Sequence, residues 1–333
     1  MSSLSPTPGF GRFGFWRRGA HLTPELAGAV ERLGYGTVWI GGSPPADLGI
    51  AEELLDATER VTVATGIVNI WTAPAAEVAA SFHRIERRHP GRLVVGIGIG
   101  HRETLDGPYE KPYSALVSYL DALDEGGVPA ERRIIAALGP RTLRLSAERA
   151  AGTHPYLTTP AHTRFARDIV GPDAVVAPEQ RLVPETDTAA ARETARRFLD
   201  RYLSLSNYRR TLESHGFTAA DLDDGATDAA VDALVPHGGP AALAAAVRGH
   251  LDTGADHVCA QVLPARRDPA ADPGRAGERA VTAQALRRPR RAAYSTSGTR
   301  APGSTPRSAA SSGSRMGAVL SPCSKRKVTS TMS

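Results

Sequence analysis

The stretch RIIAALGPRTLRLSAERAAGTHPYLTTPAHT, residues 133–163, decides the fold. An apolar run from Ile134 to Leu138 reads as a strand and stops at Gly139-Pro140-Arg141-Thr142. Leu143, Leu145, Ala147 and Ala150 then fall among good helix formers, and a proline suits the first helical position. His154-Pro155-Tyr156-Leu157 reads as a second short strand, running into another helix start at Thr159-Pro160. Strand, glycine turn, helix, strand is the sequence form of a parallel β-α-β unit. The turn sets free backbone N–H groups, the positive end of a helix dipole and Arg141 at the carboxyl end of a strand, where an anion binds well. Taken alone, such a turn is more often an ordinary β-α connection with a solvated arginine.

The same alternation runs along residues 1–264. Strand patterns fall at 11–16, 37–41, 61–70, 93–99, 133–138, 153–157, 174–182 and 257–263. Helical patterns lie between them, near 23–33, 47–58, 74–88, 111–125, 140–150, 160–170, 187–215 and 239–253. Eight strands separated by helices predict an α/β chain folded as a (β/α)₈ TIM barrel rather than a doubly wound sheet. Thr23-Pro24 and Asp187 are sound helix starts.

After Pro264 the composition changes sharply. Residues 265–333 are rich in Arg, Ser, Pro, Gly and Thr with almost no apolar periodicity, and are expected to be a disordered basic tail. Such an abrupt change also fits translation in a displaced reading frame. The tail holds 14 basic residues against 3 acidic ones, leaving 26 and 32 in the body. The net charge of +5 therefore belongs to the tail, and a mildly acidic body argues against charge-driven nucleic-acid binding by residues 1–264. No apolar run reaches the length of a membrane span and no signal-peptide core begins the chain. With two cysteines, Cys259 and Cys323, a disulfide framework is not expected and a reducing cytoplasm fits.

Candidate chemistry gathers at predicted strand ends. In RLVVGIGIGH (92–101), Gly96, Gly98 and Gly100 share one strand face, so either a neighbouring backbone or a planar ligand approaches closely there. Asn69 and Trp71 end the third strand on one face, an amide and an indole suited to a polar heteroaromatic ligand. His101 closes the fourth strand at the same rim and is the candidate for proton transfer. The ten histidines are scattered without metal-ligand spacing, so no metal site is expected. There is no Walker loop, nucleophile elbow or cysteine–histidine constellation, and the formal G-x-G-x-x-G at Gly9–Gly14 lacks a preceding strand. Arg209-Arg210 and the Glu193/Arg197 pair read as solvated helix faces.

With this pattern in place, the body resembles the luciferase-like monooxygenase superfamily, and within it the oxidoreductases that use the deazaflavin coenzyme F-420. The resemblance is carried by ERLGYGTVWIGG (31–42), VATGIVNIW (63–71), RLVVGIGIGH (92–101), ALGPRTLRLSAERAAGTHPYLTTPAHT (137–163), APEQ (177–180) and GADHVCAQVL (254–263). It implies a (β/α)₈ barrel holding F-420 or FMN at its carboxyl rim. Asn69, Trp71, Gly98 and Gly100 would flank the ring system, Gly139, Pro140, Arg141 and Thr142 would meet the phosphate, and His154, Tyr156 and Thr159 would close the same side. It implies hydride transfer between F-420 and a small-molecule substrate; the alternatives are an FMN-dependent monooxygenase and a cofactor-binding relative without turnover. It further allows a homodimer. Two departures stand out. The Asp-His pair of deazaflavin sugar-phosphate dehydrogenases is replaced by Ile40-Gly41-Gly42-Ser43. Weak helical patterning after Pro264 leaves the closure of the barrel open.

Overall fold

The computed structural model describes residues 9–104 and 111–264, so the expected tail at 265–333 and its boundary lie outside the described residues. The strands are β1 (Phe13–Arg18), β2 (Thr37–Gly41), β3 (Thr62–Gly66), β4 (Val68–Asn69), β5 (Leu93–Gly98), β6 (Arg133–Ile135), β7 (Gly152–Thr153), β8 (Val175–Val176), β9 (Glu179–Leu182) and β10 (Val258–Val262). Helices alternate with them: α1 (Pro24–Arg32), α2 (Gly49–Asp56), α3 (Ala75–Arg88), α4 (Pro112–Glu125), α5 (Pro140–Arg149), α6 (Pro160–Val170) and, before β10, α11 (Pro240–Asp252). Between β9 and α11 the chain inserts α7 (Thr188–Leu203), α8 (Ser206–Ser214), α9 (Ala219–Leu222) and α10 (Asp228–Leu234). Thr23 and Asp187 start their helices as expected, accepting from the N–H groups of Leu26 and Ala190.

Every paired strand is parallel, in the order β8-β7-β6-β5-β3-β2-β1-β10-β9 with β4 on β5. The two ends of that order, β8 and β9, are pieces of one predicted segment interrupted at Ala177-Pro178, so the sheet comes round on itself as an eight-staved barrel. The strand ring closes within residue 264: β10 pairs with β1 at Phe13↔Val258 and with β9 at Glu179↔Cys259. Three expectations change in detail. The segment 61–70 is split at Gly66-Ile67, which are joined by a cis peptide, and 187–215 is two helices broken at Ser204-Leu205. The strands expected at 133–138 and 153–157 keep only three and two residues of ladder.

Alternation along the strands sorts the core into layers. Phe10, Trp16, Trp39, Ala64, Val94, Ile134, Val175, Ala177 and Cys259 fill the inside of the barrel. Val38, Ile40, Val63, Val95 and Ile97 face outward onto Leu26, Leu54, Phe82 and Leu120 of the first four helices. The insertion has its own core of Ala195, Leu199, Tyr208, Leu212 and Leu234, seated on Leu157, Val183 and Leu263 at the carboxyl ends of the strands. Gly96 shows why the glycine strand is needed: a Cβ there would lie 1.9 Å from the Thr65 carbonyl oxygen. The Thr65 hydroxyl instead accepts from the Gly96 N–H and donates to its carbonyl, both at 2.8 Å. Among the described residues no helix is long and apolar enough to cross a membrane.

Candidate functional site

A cavity of about 1090 Å³ opens at the carboxyl ends of the strands, between the barrel rim and helices α7 and α8. Strand ends supply Trp16, Arg18, Gly66, Asn69, Gly98 and Gln261; the loops after them supply Gly100, His101 and Leu138. Gly139, Pro140 and Thr142 contribute the start of α5. This is the face on which barrel enzymes build their sites.

At the start of α5 the Gly139 N-cap offers no side-chain hydrogen bond, and the first turn holds no acidic residue. Pro140 has no N–H to donate, so the amides of Arg141 and Thr142 are the orphan donors of the helix end. Nothing lies within 4 Å of a Cβ position at Gly139, which leaves this backbone open to a ligand. The helix dipole adds positive potential there.

Arginines reinforce it. Arg17, Arg18, Arg197, Arg201 and Arg210 line the cavity with His215, and among the described residues no carboxylate does. Arg197 and Arg201 sit four apart on α7; Arg210 comes from α8. Arg210 and Arg197 are exposed, as solvated helix faces would be, and Arg197 pairs with Glu193 at 3.5 Å; both also lie at the mouth of the cavity. Sequence periodicity had no way to say that this amphipathic pair of helices folds back over the barrel.

The predicted residues divide into two groups. Asn69, Gly98, Gly100, His101, Gly139, Pro140, Thr142, His154 and Tyr156 all line the cavity. Asn69 is buried; its Oδ1 accepts from the Trp71 N–H at 3.0 Å, and its Nδ2 would lie 2.6 Å from a Cβ on Gly100. His101 bonds Asn207 Oδ1 through Nδ1 at 3.2 Å and packs on Tyr208 at 5.0 Å between centroids. Burial lowers its pKa, against the opposing pull of Asn207 and Glu103. Glu103 also accepts from the Ser206 N–H, tying this loop to α8.

Trp71, Arg141 and Thr159 are placed elsewhere. Trp71 Nε1 donates to the Ile99 carbonyl at 2.9 Å, just past the end of β5, and Trp71 is not part of the cavity lining. The Arg141 guanidinium lies 3.6 Å over the Tyr113 ring, off the cavity lining, because helix phase turns it away from its neighbours Pro140 and Thr142. Thr159 is the N-cap residue of α6 and does not line the cavity.

Beneath the mouth lies a polar layer that sequence reading missed. Glu179 and Arg181 point inward from β9, almost fully buried, 2.7 Å apart. Burial pushes the Glu179 carboxyl up to about 7 while Arg181 pulls it back. The guanidinium lies over Tyr156 at 4.1 Å and Phe198 at 4.7 Å, joining the barrel wall to α7. Tyr156 Oη donates to Gln261 Oε1 at 3.1 Å and meets Tyr202 Oη at 3.0 Å. The signal available was the i, i+2 spacing of a charged pair inside a strand run, which places both on one face. Among the described residues no His, Cys, Asp and Glu group is arranged to hold a metal ion.

Residues 15–126 match the luciferase-like monooxygenase family model. A search of curated protein sequences gives no match. Among solved structures the chain is similar to an F-420-dependent secondary alcohol dehydrogenase in complex with an F-420–acetone adduct. That similarity has 14% identity and a TM-score of 0.60 and covers 76% of this chain and 93% of that one. It is also similar to the coenzyme F-420-dependent tetrahydromethanopterin reductase from Methanopyrus kandleri (14% identity, 82% and 97% covered, TM-score 0.58). A third is the FMN complex of the oxygenating constituent of 3,6-diketocamphane monooxygenase from the CAM plasmid of Pseudomonas putida, a type II Baeyer–Villiger monooxygenase (11% identity, 82% and 97% covered, TM-score 0.60). Residues 15–126 thus resemble the luciferase-like monooxygenase family, and the parallel barrel that continues to residue 264 has the fold of these similar structures.

Proposed function

We propose that this chain is an oxidoreductase that binds the deazaflavin coenzyme F-420 in the cavity at the strand ends and moves a hydride between it and a small organic substrate. The observation that carries the reading is the uncapped start of α5 opening into a cavity lined, among the described residues, by five arginines and no carboxylate. That is an anion site on the scale of a phosphorylated cofactor. The residues fit such a group. The amides of Arg141 and Thr142 would hold a phosphate, with Arg210 and His215 on the same cavity. Asn69 would donate to the ring edge through Nδ2, since its Oδ1 is engaged by Trp71. Gly98 and Gly100 make room for Ile67 and Asn69, which pack where their side chains would be and so set this wall of the cavity. Bound there, a deazaflavin supplies the hydride chemistry.

His101 is the proton-handling group in this reading. Its Nδ1–H donates to Asn207, which fixes the tautomer with Nε2 as the basic nitrogen. Tyr156, Tyr202 and Tyr208 form an aromatic stretch of the cavity lining. The two deazaflavin relatives named above support the cofactor; the FMN-bound relative supports a second reading, an FMN-dependent monooxygenase. Titration of the full chain with F-420 and with FMN, followed by absorbance, separates the two. Saturable binding of F-420 is expected. Tight FMN binding with none of F-420, together with substrate-dependent oxygen uptake, overturns the first reading in favour of the second.

A further inference from the structure

We propose that Arg197 and Arg201 clamp a carboxylate of the substrate on the α7 side of the cavity, beside His101. The proposal rests on the reading of this cavity as the cofactor and substrate site, and narrows the small organic substrate to one that bears a carboxylate. Helix α7 carries two arginine pairs at the same spacing, Arg192 with Arg196 and Arg197 with Arg201. Residues four apart on a helix are neighbours, and like charges there oppose each other. The first pair answers this with a carboxylate. Asp228 bridges it, accepting from Arg192 Nη1 on one oxygen and from Arg196 Nη2 on the other, both at 2.5 Å. Arg192 also pairs with Asp232 at 2.5 Å. The second pair lies about 140° round the helix axis from the first. Both of its members line the cavity.

Among the described residues no carboxylate bridges this second pair. Arg197 meets Glu193 at 3.5 Å one turn back, an exposed contact of little strength. The Arg201 guanidinium has no ion pair or hydrogen bond to any described residue. One helix thus shows the same pair filled on one face and open on the other. What fills the first face fits the second: a planar group with two oxygens, one for each guanidinium. A phosphate is better served at the start of α5, where backbone amides collect. Arg201 is also within electrostatic reach of His101: burial chiefly, and the Arg201 charge to a lesser degree, lowers the pKa of that ring. A carboxylate held by the pair therefore sets a neighbouring carbon of the substrate beside the proton-handling group. Phe198, Leu205 and Val262 on the lining offer apolar surface to the carbon skeleton. The substrate class is a small carboxylic acid with an apolar body and its reacting carbon near the acid group.

The test is calorimetric titration of the full chain with cyclohexanecarboxylate and cyclohexanecarboxamide in Tris chloride free of phosphate and sulfate, with and without saturating F-420. The carboxylate is expected to bind at least tenfold more tightly than the amide. Arg201→Gln and Arg197→Gln should each remove most of that preference and leave the affinity for the amide unchanged. Both side chains are exposed, which makes these variants safe for folding, and circular dichroism checks it. Arg18→Gln takes the same charge from the end of β1 and should cost less than threefold. Equal affinity for acid and amide, or an equal loss in Arg18→Gln, overturns the proposal. So does a preference lost in Gly139→Asp but kept in Arg201→Gln, which gives the acid to the start of α5. An acid group on the cofactor is the other source of such a carboxylate. If saturating F-420 displaces the probe, and F-420 affinity falls in both α7 variants, the pair serves the cofactor and the proposal is overturned. Acid preference without binding of F-420 or FMN sinks the cofactor reading alone and leaves the clamp standing.

Discussion

The two halves of the barrel are held together by different means. In residues 9–104 the main strands β1, β2, β3 and β5 are five or six residues long and their ladders are regular. In residues 111–264, β6 to β9 have only two to four residues each. Side chains do there what ladders do elsewhere. His154 donates to the Ala177 carbonyl, and His162 Nε2 donates to that of Leu138. His250 spans Thr163 and Gln180, and Arg167 reaches the carbonyls of Gly171, Ala174 and Gly254. The buried Glu179–Arg181 pair belongs to the same half. Short staves free the chain to open a mouth and carry an insertion, and buried polar groups then fix what the backbone no longer does.

The largest expected effect comes from breaking the ion pair. Arg181→Met leaves Glu179 uncompensated in the interior and is expected to cost about 3–5 kcal/mol in chemical denaturation. The double variant Arg181→Met/Glu179→Leu should recover most of that. A single variant as stable as the parent would show that the second half does not rest on the pair. Acid should find the same half next. Burial holds His154, His162, His250 and His257 near pKa 4, below the ordinary 6.5. Their folded-state values are lowered, so the stability they contribute is complete above about pH 6.5 and is lost as pH falls toward 4. A loss on the order of a few kcal/mol is expected over that window, with hydrogen exchange in β6–β10 rising before that in β1–β5. Simultaneous loss of protection in both halves would dissolve the distinction.

A smaller, sharper effect is expected at the start of α5. Gly139→Asp gives the helix a better N-cap and so should not lower stability, yet it puts a negative charge where a phosphate would sit. Cofactor affinity should fall at least tenfold, about 1.4 kcal/mol, in an absorbance titration. The smallest effect is at the neighbour. Arg141→Ala removes a guanidinium that stacks on Tyr113 outside the cavity, so the affinity should change by less than about 0.5 kcal/mol. A tenfold loss in that variant would return its side chain to the phosphate site.

The eight β/α units were legible because apolar runs and helix starts are local signals, and Thr23 and Asp187 cap as their residue types promise. Helix phase was less legible. Gly139, Pro140 and Thr142 reach the cavity while Arg141, one residue of rotation away, does not, and the sequence treats the four alike. Trp71 shared a predicted strand face with Asn69, but the strand ends at Asn69 and the indole is tied to the Ile99 carbonyl instead. The break at Ser204-Leu205 carries no glycine or proline to announce it. Whether α7 and α8 close over the mouth depends on contacts such as Arg181 with Phe198, between residues 17 positions apart and on different elements. No window of local sequence contains that information.

The surplus of cations on the cavity lining has a consequence in time as well as in affinity. Arg18, Arg197, Arg201 and Arg210 are exposed, so their field extends from the mouth into solvent over a screening length of roughly 8 Å at physiological salt. Anions drifting past are drawn in, which raises the encounter rate and makes it fall steeply with ionic strength. The same field recruits phosphate and sulfate from a buffer as readily as a larger ligand. The choice of medium therefore sets how fast, and against what competition, this cavity fills.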